Sequence, residues 1–189
     1  MTPWARVRLV APTVLETPRL VGERLGPEHH AGMLAIFGDP RVGATMGGVA
    51  TAADVESQIA RLAAHWEQHG FGWYAFRDRD SGALVARGGP KTAHVGGRDE
   101  VEIGWTVAPD RWGEGLATEL GAASIEIAFG RLGLVDVVSF TLVDNVASRR
   151  VMDKLGFAFD RDVIYAGLPH VLYRLFSSSS ARSTSRSAV

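Results

Sequence analysis

Val101-Glu-Ile-Gly-Trp-Thr-Val-Ala-Pro-Asp-Arg-Trp-Gly-Glu-Gly-Leu-Ala-Thr118 reads as an apolar strand stopped at Pro109, a tight glycine loop and the first turn of a helix. Gly113 and Gly115 free the loop of side chains that would keep a ligand from main-chain N–H groups. Leu116-Ala-Thr-Glu-Leu120 then opens a helix whose first N–H groups have no partner inside it. Unpaired donors and the positive end of a helix dipole suit a phosphate or diphosphate. The pattern predicts that a phosphorylated cofactor is held here.

Spacing separates three loops of this outline. A nucleoside-triphosphate loop needs Gly-x-x-x-x-Gly-Lys-Ser/Thr, and no such run occurs. A dinucleotide fold asks for Gly-x-Gly-x-x-Gly and an acid ending the next strand. Here Thr118 occupies the third glycine position, and Asp136 precedes the next apolar run instead of ending it. The third loop fits better: Trp112-Gly113-Glu114-Gly115-Leu116-Ala117 resembles the Gln/Arg-x-x-Gly-x-Gly/Ala coenzyme A loop of the GNAT N-acetyltransferases.

The resemblance extends in order along residues 15–176. Asn145-Val-Ala-Ser-Arg-Arg-Val-Met-Asp-Lys-Leu-Gly-Phe157 is similar to the family's Asn-led helix ending in Leu-Gly-Phe. Leu15-Glu-Thr-Pro-Arg-Leu20 and Asp39-Pro-Arg-Val42 resemble the opening of the RimJ/RimL-like branch, whose members acetylate protein N-termini. His65-Trp-Glu-Gln-His-Gly-Phe-Gly-Trp73 and Glu102-Ile-Gly-Trp105 carry the likeness through the middle. A lone Gly-x-Gly says little; the ordered set is specific.

The chain of 189 residues fits one domain with a sizeable core. A net charge of −1 supplies no long-range pull toward nucleic acid or anionic lipid, so neither is an expected partner. The absence of cysteine excludes disulfides, thiolate metal sites and a cysteine nucleophile. The first 16 residues lack a signal-peptide core, and no run reaches the ~18 apolar residues that cross a bilayer. A cytoplasmic protein is the resulting expectation. Residues 1–14 are expected to be a flexible segment, 15–176 the folded domain, and 177–189 a disordered Ser-rich tail.

Within the domain, Arg19–Arg24 reads as a strand and Gly26-Pro27 as a helix start. Thr51-Ala-Ala-Asp54 is a capping box before Val55, Ile59, Leu62 and Trp66, and Gly70 ends that helix. Strands are expected at Trp73–Arg77, Ala83–Gly88 and 101–108, then a helix from Leu116 to Leu132 closed by Gly133. Val135–Val143 reads as a strand covered on both faces. A short helix follows, ending at Gly156, and a hairpin over Phe157–Tyr165 and Val171–Phe176 turns at Gly167-Leu-Pro169. This is a mixed α/β (α+β) domain. The resemblance implies a mostly antiparallel sheet of six to seven strands and about four helices, splayed between 101–108 and 135–143.

Moving an acetyl group from a thioester to an amine requires a neutral amine, donors for the developing oxyanion, and stabilisation of the departing thiolate. By resemblance, acetyl-CoA is the co-substrate. Main-chain N–H groups of Gly113, Glu114, Gly115, Leu116, Ala117 and Thr118 would hold its diphosphate, beside Trp112. Thr106 and Val107 would flank the pantetheine arm, with Val107 N–H aimed at the thioester oxygen. Glu102 is the candidate general base, since a carboxylate midway along an apolar strand needs a reason to be there; alternation puts it on one face with Glu100 and Gly104.

Asn145 is an N-cap by type and, in the family, a coenzyme contact. Many relatives carry a tyrosine one turn further on as the acid for the thiolate; Met152 stands at that position and cannot donate a proton. Ser148, a turn earlier, is the candidate donor to the sulfur. His65 and His69 have zinc-pair spacing, but Trp66 takes the place of the Glu in that motif, and no metal is expected. His29 and His30 read as helix-surface residues. Phe71, Trp73, Tyr74, Tyr165 and Tyr173 could wall an acceptor pocket, although most belong to the core by type.

The function expected is therefore acetyl transfer to a primary amine such as a protein N-terminus. Alternatives are a small amine, a polyamine or aminoglycoside, for which acidic pocket residues would argue, and a catalytically silent acyl-CoA-binding module, suggested by Met152. Homodimers are frequent among proteins of this kind.

Overall fold

The computed structural model describes residues 10–178. Strands β1 (Val14–Glu16) and β2 (Leu20–Arg24) form a hairpin around Thr17-Pro18-Arg19, and helices α1 (His30–Phe37), α2 (Pro40–Met46) and α3 (Ala52–His69) follow. A meander of β3 (Tyr74–Asp78), β4 (Leu84–Val95) and β5 (Arg98–Val107) leads into α4 (Leu116–Glu126). The chain finishes with β6 (Asp136–Leu142), α5 (Val146–Lys154) and the hairpin β7 (Ala158–Tyr165), β8 (Leu168–Phe176).

Local chemistry explains most boundaries. Thr51 accepts from Asp54 N–H while the Asp54 carboxylate accepts from Thr51 N–H, closing the expected capping box of α3. Gly70 ends that helix at φ 73°, where a side chain would be strained. α2 was not expected as a helix; Asp39 caps it by accepting from Arg41 N–H, with Pro40 at the first helical position. β4 runs seven residues past Gly88, through Gly89-Pro90. Proline is tolerated because β3 has already ended, its first residue Tyr74 lying opposite Gly88, so no ladder partner is lost on that side.

The eight strands of the described residues lie in one sheet, in the order β1-β2-β3-β4-β5-β6-β8-β7. The count exceeds the six to seven expected because Val14–Glu16 pairs with β2. That strand begins inside the segment expected to be flexible: Ala11 N–H bonds Gly70 O, and Pro12 O accepts from Tyr74 Oη. Residues 1–9 of that segment, and 179–189 of the Ser-rich tail, lie outside the described residues. Ser177, the first residue of the expected tail, is buried and its N–H bonds Val135 O. His29 is also buried, with Nδ1 at Gly26 and Nε2 at Glu23, so it is not a surface residue.

One junction of the sheet is parallel. β5 and β6 share a single registered pair, Glu102 with Val138, whereas β4 and β5 stay paired from Ala86 to Val95. Arg174 on β8 closes the near end of the junction. Its guanidinium binds Glu100 on β5 (2.6 Å), Asp136 on β6 and Asp160 on β7 (3.1 Å). Beyond that clamp β5 and β6 diverge, which is the splay the resemblance implies. α1, α2 and α3 cover one sheet face through Met33, Ile36, Phe37, Val42 and Ile59; α4 covers the other through Leu116 and Leu120. Among the described residues, no helix is long and apolar enough to cross a membrane.

Candidate active site

The glycine loop takes the backbone path that its composition allows. Gly113 (φ 85°) and Gly115 (φ 83°) both lie in the left-handed region. Gly115 is the N-cap of α4 and offers no side-chain cap. The first helical bond runs from Glu119 N–H to Gly115 O, so the N–H groups of Leu116, Ala117 and Thr118 find no acceptor in the helix. A Cβ added at Gly113 would meet nothing within 4 Å, and one at Gly115 only the Arg19 guanidinium at 3.7 Å. The space beside both glycines is open, and Leu116, Ala117 and Thr118 line the same cleft.

Trp112, Arg111 and Arg19 hold this loop. Trp112 Nε1 donates to Val107 O (2.8 Å), tying the loop to the end of β5. Arg111 bridges the Glu114 carboxylate and Asp78. The N–H and hydroxyl of Ser81, with Arg111, hold the Asp78 carboxyl down to about 2. Arg19 donates to Glu114 O and, with Thr17, binds the Glu119 carboxylate. Thr17-Pro18-Arg19 thus clamps the first turn of α4, a role its place in the sequence does not reveal. The Glu114 side chain pairs with Arg111, its carbonyl accepts from Arg19, and the residue does not line the cleft as Trp112, Gly113 and Gly115 do.

The loop opens onto a cleft of about 780 Å³ between the diverging strands. Ala108 N–H donates to Val85 O on β4, so by strand alternation Val107 N–H points the opposite way, toward the gap left by β6. Thr106 and Val107 form one lip. Asn145 and Ser148 stand on the other. Asn145 Oδ1 accepts from Ser148 N–H and so caps α5, a bond that does not use its amide NH2. Met152 is fully buried in the core and does not reach the cleft.

The other wall is made by α2, α3 and the facing sheet surface. Glu102 lines it, 8% exposed, with Lys91 Nζ 3.3 Å from its carboxylate. Glu100, on the same face of β5, belongs to the Arg174 clamp instead. Of the aromatic residues considered, Trp73 and Tyr165 line the cleft, while Phe71, Tyr74 and Tyr173 sit in the core. His65 lines it too. Its Nε2 accepts from Thr92 N–H and its Nδ1 bonds Phe71 O; burial, then the neighbouring His69, pushes its pKa down to about 4. Sequence reasoning missed Arg87 and Lys91. Among the described residues, six cations line the cleft (Arg61, Arg87, Lys91, Arg111, Arg150 and Lys154) against one carboxylate, Glu102. Strand alternation put Glu102 on a face but gave no means of placing these partners.

A model of the acetyltransferase (GNAT) domain matches residues 19–158. The chain is 28% identical over 148 residues to YoaA, an uncharacterised N-acetyltransferase of Bacillus subtilis, covering 76% of this chain and 82% of that one. It is 32% identical over 156 residues to FsC-acetyl coenzyme A-N(2)-transacetylase of Aspergillus fumigatus, spanning 77% of this chain and 65% of that protein. A solved structure from Bordetella pertussis, described as a GNAT-family acetyltransferase, superposes with a TM-score of 0.76 at 26% identity, over 86% of this chain and 99% of that one. A sheet parted beside an uncapped glycine loop and a family match over most of the domain agree: this chain belongs to the GNAT family of N-acetyltransferases.

Proposed function

We propose that this protein transfers the acetyl group of acetyl-CoA to a primary amine, with a peptide α-amine as the acceptor, and that it belongs to the RimJ/RimL-like branch. The observation that carries the reading is the row of uncapped N–H groups at Leu116–Thr118 standing beside the gap into which Val107 N–H points. This fits coenzyme A: main-chain donors and the α4 dipole suit the diphosphate, and Arg150 and Lys154 on α5 bring two cations to the same cleft. Acetyl-CoA supplies the activated acyl group. Val107 N–H is the donor for its carbonyl oxygen, a role that contributes roughly 3–4 kcal/mol in comparable sites.

Glu102 takes the proton from the amine, directly or through one water, and Lys91 holds its carboxylate in place. Asn145 holds the coenzyme arm, and Ser148 donates toward the departing sulfur. A peptide α-amine, with a pKa near 8 against 10.4 for lysine, is easier to use at neutral pH by roughly 3–4 kcal/mol. The excess of cations in the cleft argues against a polyamine or an aminoglycoside.

Met152 favours a second reading, a domain that binds acyl-CoA without turning it over. Acceptor-dependent thiol release from acetyl-CoA separates the two. The transferase releases thiol with peptide amines and loses that activity in Glu102→Gln. Tight coenzyme binding without acceptor-dependent release, unchanged by Glu102→Gln, identifies the silent module.

A further inference from the structure

We infer that the acceptor amine itself carries a carboxylate, which seats on Arg87 and the Trp73 indole N–H. This deepens the acetyl-transfer reading and rests on it. Arg87 is 1% exposed, yet among the described residues its Nε and Nη1 have no hydrogen-bond partner, and neither has the buried Trp73 Nε1. The guanidinium carbon lies 4.1 Å from the Phe37 ring centroid and 4.4 Å from that of Trp73. Both Arg87 and Trp73 line the cleft on the Glu102 side.

These three buried donors define the polarity of the group they suit. Buried polar groups are normally paired, and an unpaired buried charge is among the most costly features a fold can carry. Glu102 does not fill the role: its carboxylate pairs with Lys91, and no hydrogen bond or ion pair joins it to Arg87. Burial pushes the Arg87 guanidinium down to about 9, with the Glu102 charge opposing, so it stays positive at neutral pH. A purely structural residue in this slot could be apolar, since Phe37 and Trp73 already supply the packing. A guanidinium and an indole N–H together suit a carboxylate, which accepts two bonds and balances one charge. A dianion would leave surplus charge facing Glu102.

The carboxylate could be the α-carboxylate of a free amino acid or an acidic side chain near a peptide N-terminus, and two arms of one assay tell these apart. One compares free amino acids with their amides; the other compares C-terminally amidated tripeptides with Asp or Asn at the first two positions. In at least one arm the carboxylate member should show a kcat/KM at least about tenfold above its amide. Arg87→Gln and the shape-conserving Arg87→Met should bring that ratio close to one, with coenzyme affinity measured to confirm folding. Wild-type ratios below about tenfold in both arms, or a ratio that survives both variants, would overturn the proposal.

Calorimetry on wild-type protein saturated with coenzyme A keeps the two readings separate. N-acetylaspartate, which offers a carboxylate at either position, should bind, and its diamide should not. Binding through Arg87 with no amine acetylated leaves the anion site standing and removes the transferase. Acetylation of amides as readily as carboxylates does the reverse.

Discussion

The two walls of the cleft are built by different means. The α4 wall is main chain: glycines at positive φ, an uncapped helix end and one strand N–H. The α2–α3 wall is side chain: Glu102 with Lys91, and Arg87 against Phe37 and Trp73. A main-chain site is announced by the residues that permit it, because glycine and a helix start leave a local signature. A side-chain site is assembled from strands and helices far apart in sequence, and no local pattern marks it. The first wall suits a cofactor shared by many relatives, and the second suits whatever distinguishes this chain's acceptor.

Altering one wall at a time should separate turnover from coenzyme binding. The largest effect is expected from Glu102→Gln on the acceptor wall: kcat falls about 100-fold or more, the acid limb of the pH–rate profile is lost, and KM for acetyl-CoA stays within about twofold. Steady-state kinetics across pH checks this; wild-type kcat would remove Glu102 from the mechanism. Gly115→Val on the α4 wall should act the opposite way, raising KM for acetyl-CoA about tenfold, because a branched residue is strained at φ 83° and crowds the donors. Its melting temperature should also fall, so coenzyme affinity of the folded fraction is the deciding measurement. An unchanged affinity would break the assignment of that wall.

Trp112→Phe should have a smaller effect on the same wall. It removes the bond to Val107 O, costs about 1 kcal/mol of stability and raises KM for acetyl-CoA a few fold, readable by chemical denaturation and kinetics. The smallest effect belongs to His65. Its folded pKa of about 4 lies below the ordinary 6.5, so its contribution to stability is present above pH 6.5 and is lost as pH falls toward 4. His65→Gln should be less stable at pH 7 and should lose less of its stability between pH 6.5 and 4. Parallel wild-type and variant melting curves over that range would contradict this.

These walls also mark how far the sequence could be read. The α3 capping box, the Gly70 stop, the glycine loop and the Asn145 cap were all legible, since each depends on residues within a turn of one another. α2 is signalled only by Asp39-Pro40, a cap and first position that a helix of seven residues follows with no apolar period to mark it. β4 looked finished at Gly88 because Gly89-Pro90 breaks a strand in isolation; only the early end of β3 makes proline harmless there. His29 looked like a surface residue because its partners, Gly26 and Glu23, matter only once the turn before α1 has formed. Arg87 stands in Ala86-Arg-Gly-Gly-Pro90, a context without chemical signal. Its meaning comes from Phe37 and Trp73, which the fold alone brings to it.

In the proposed complex, bare main chain at residues 113–118 grips the diphosphate of coenzyme A. Titrating coenzyme A into isotope-labelled protein and following backbone amide resonances tests it most directly. The account predicts the largest shifts at Gly113, Gly115, Leu116, Ala117 and Thr118, with Val107 moving too. Saturable binding whose shifts fall elsewhere and leave those amides still would contradict it.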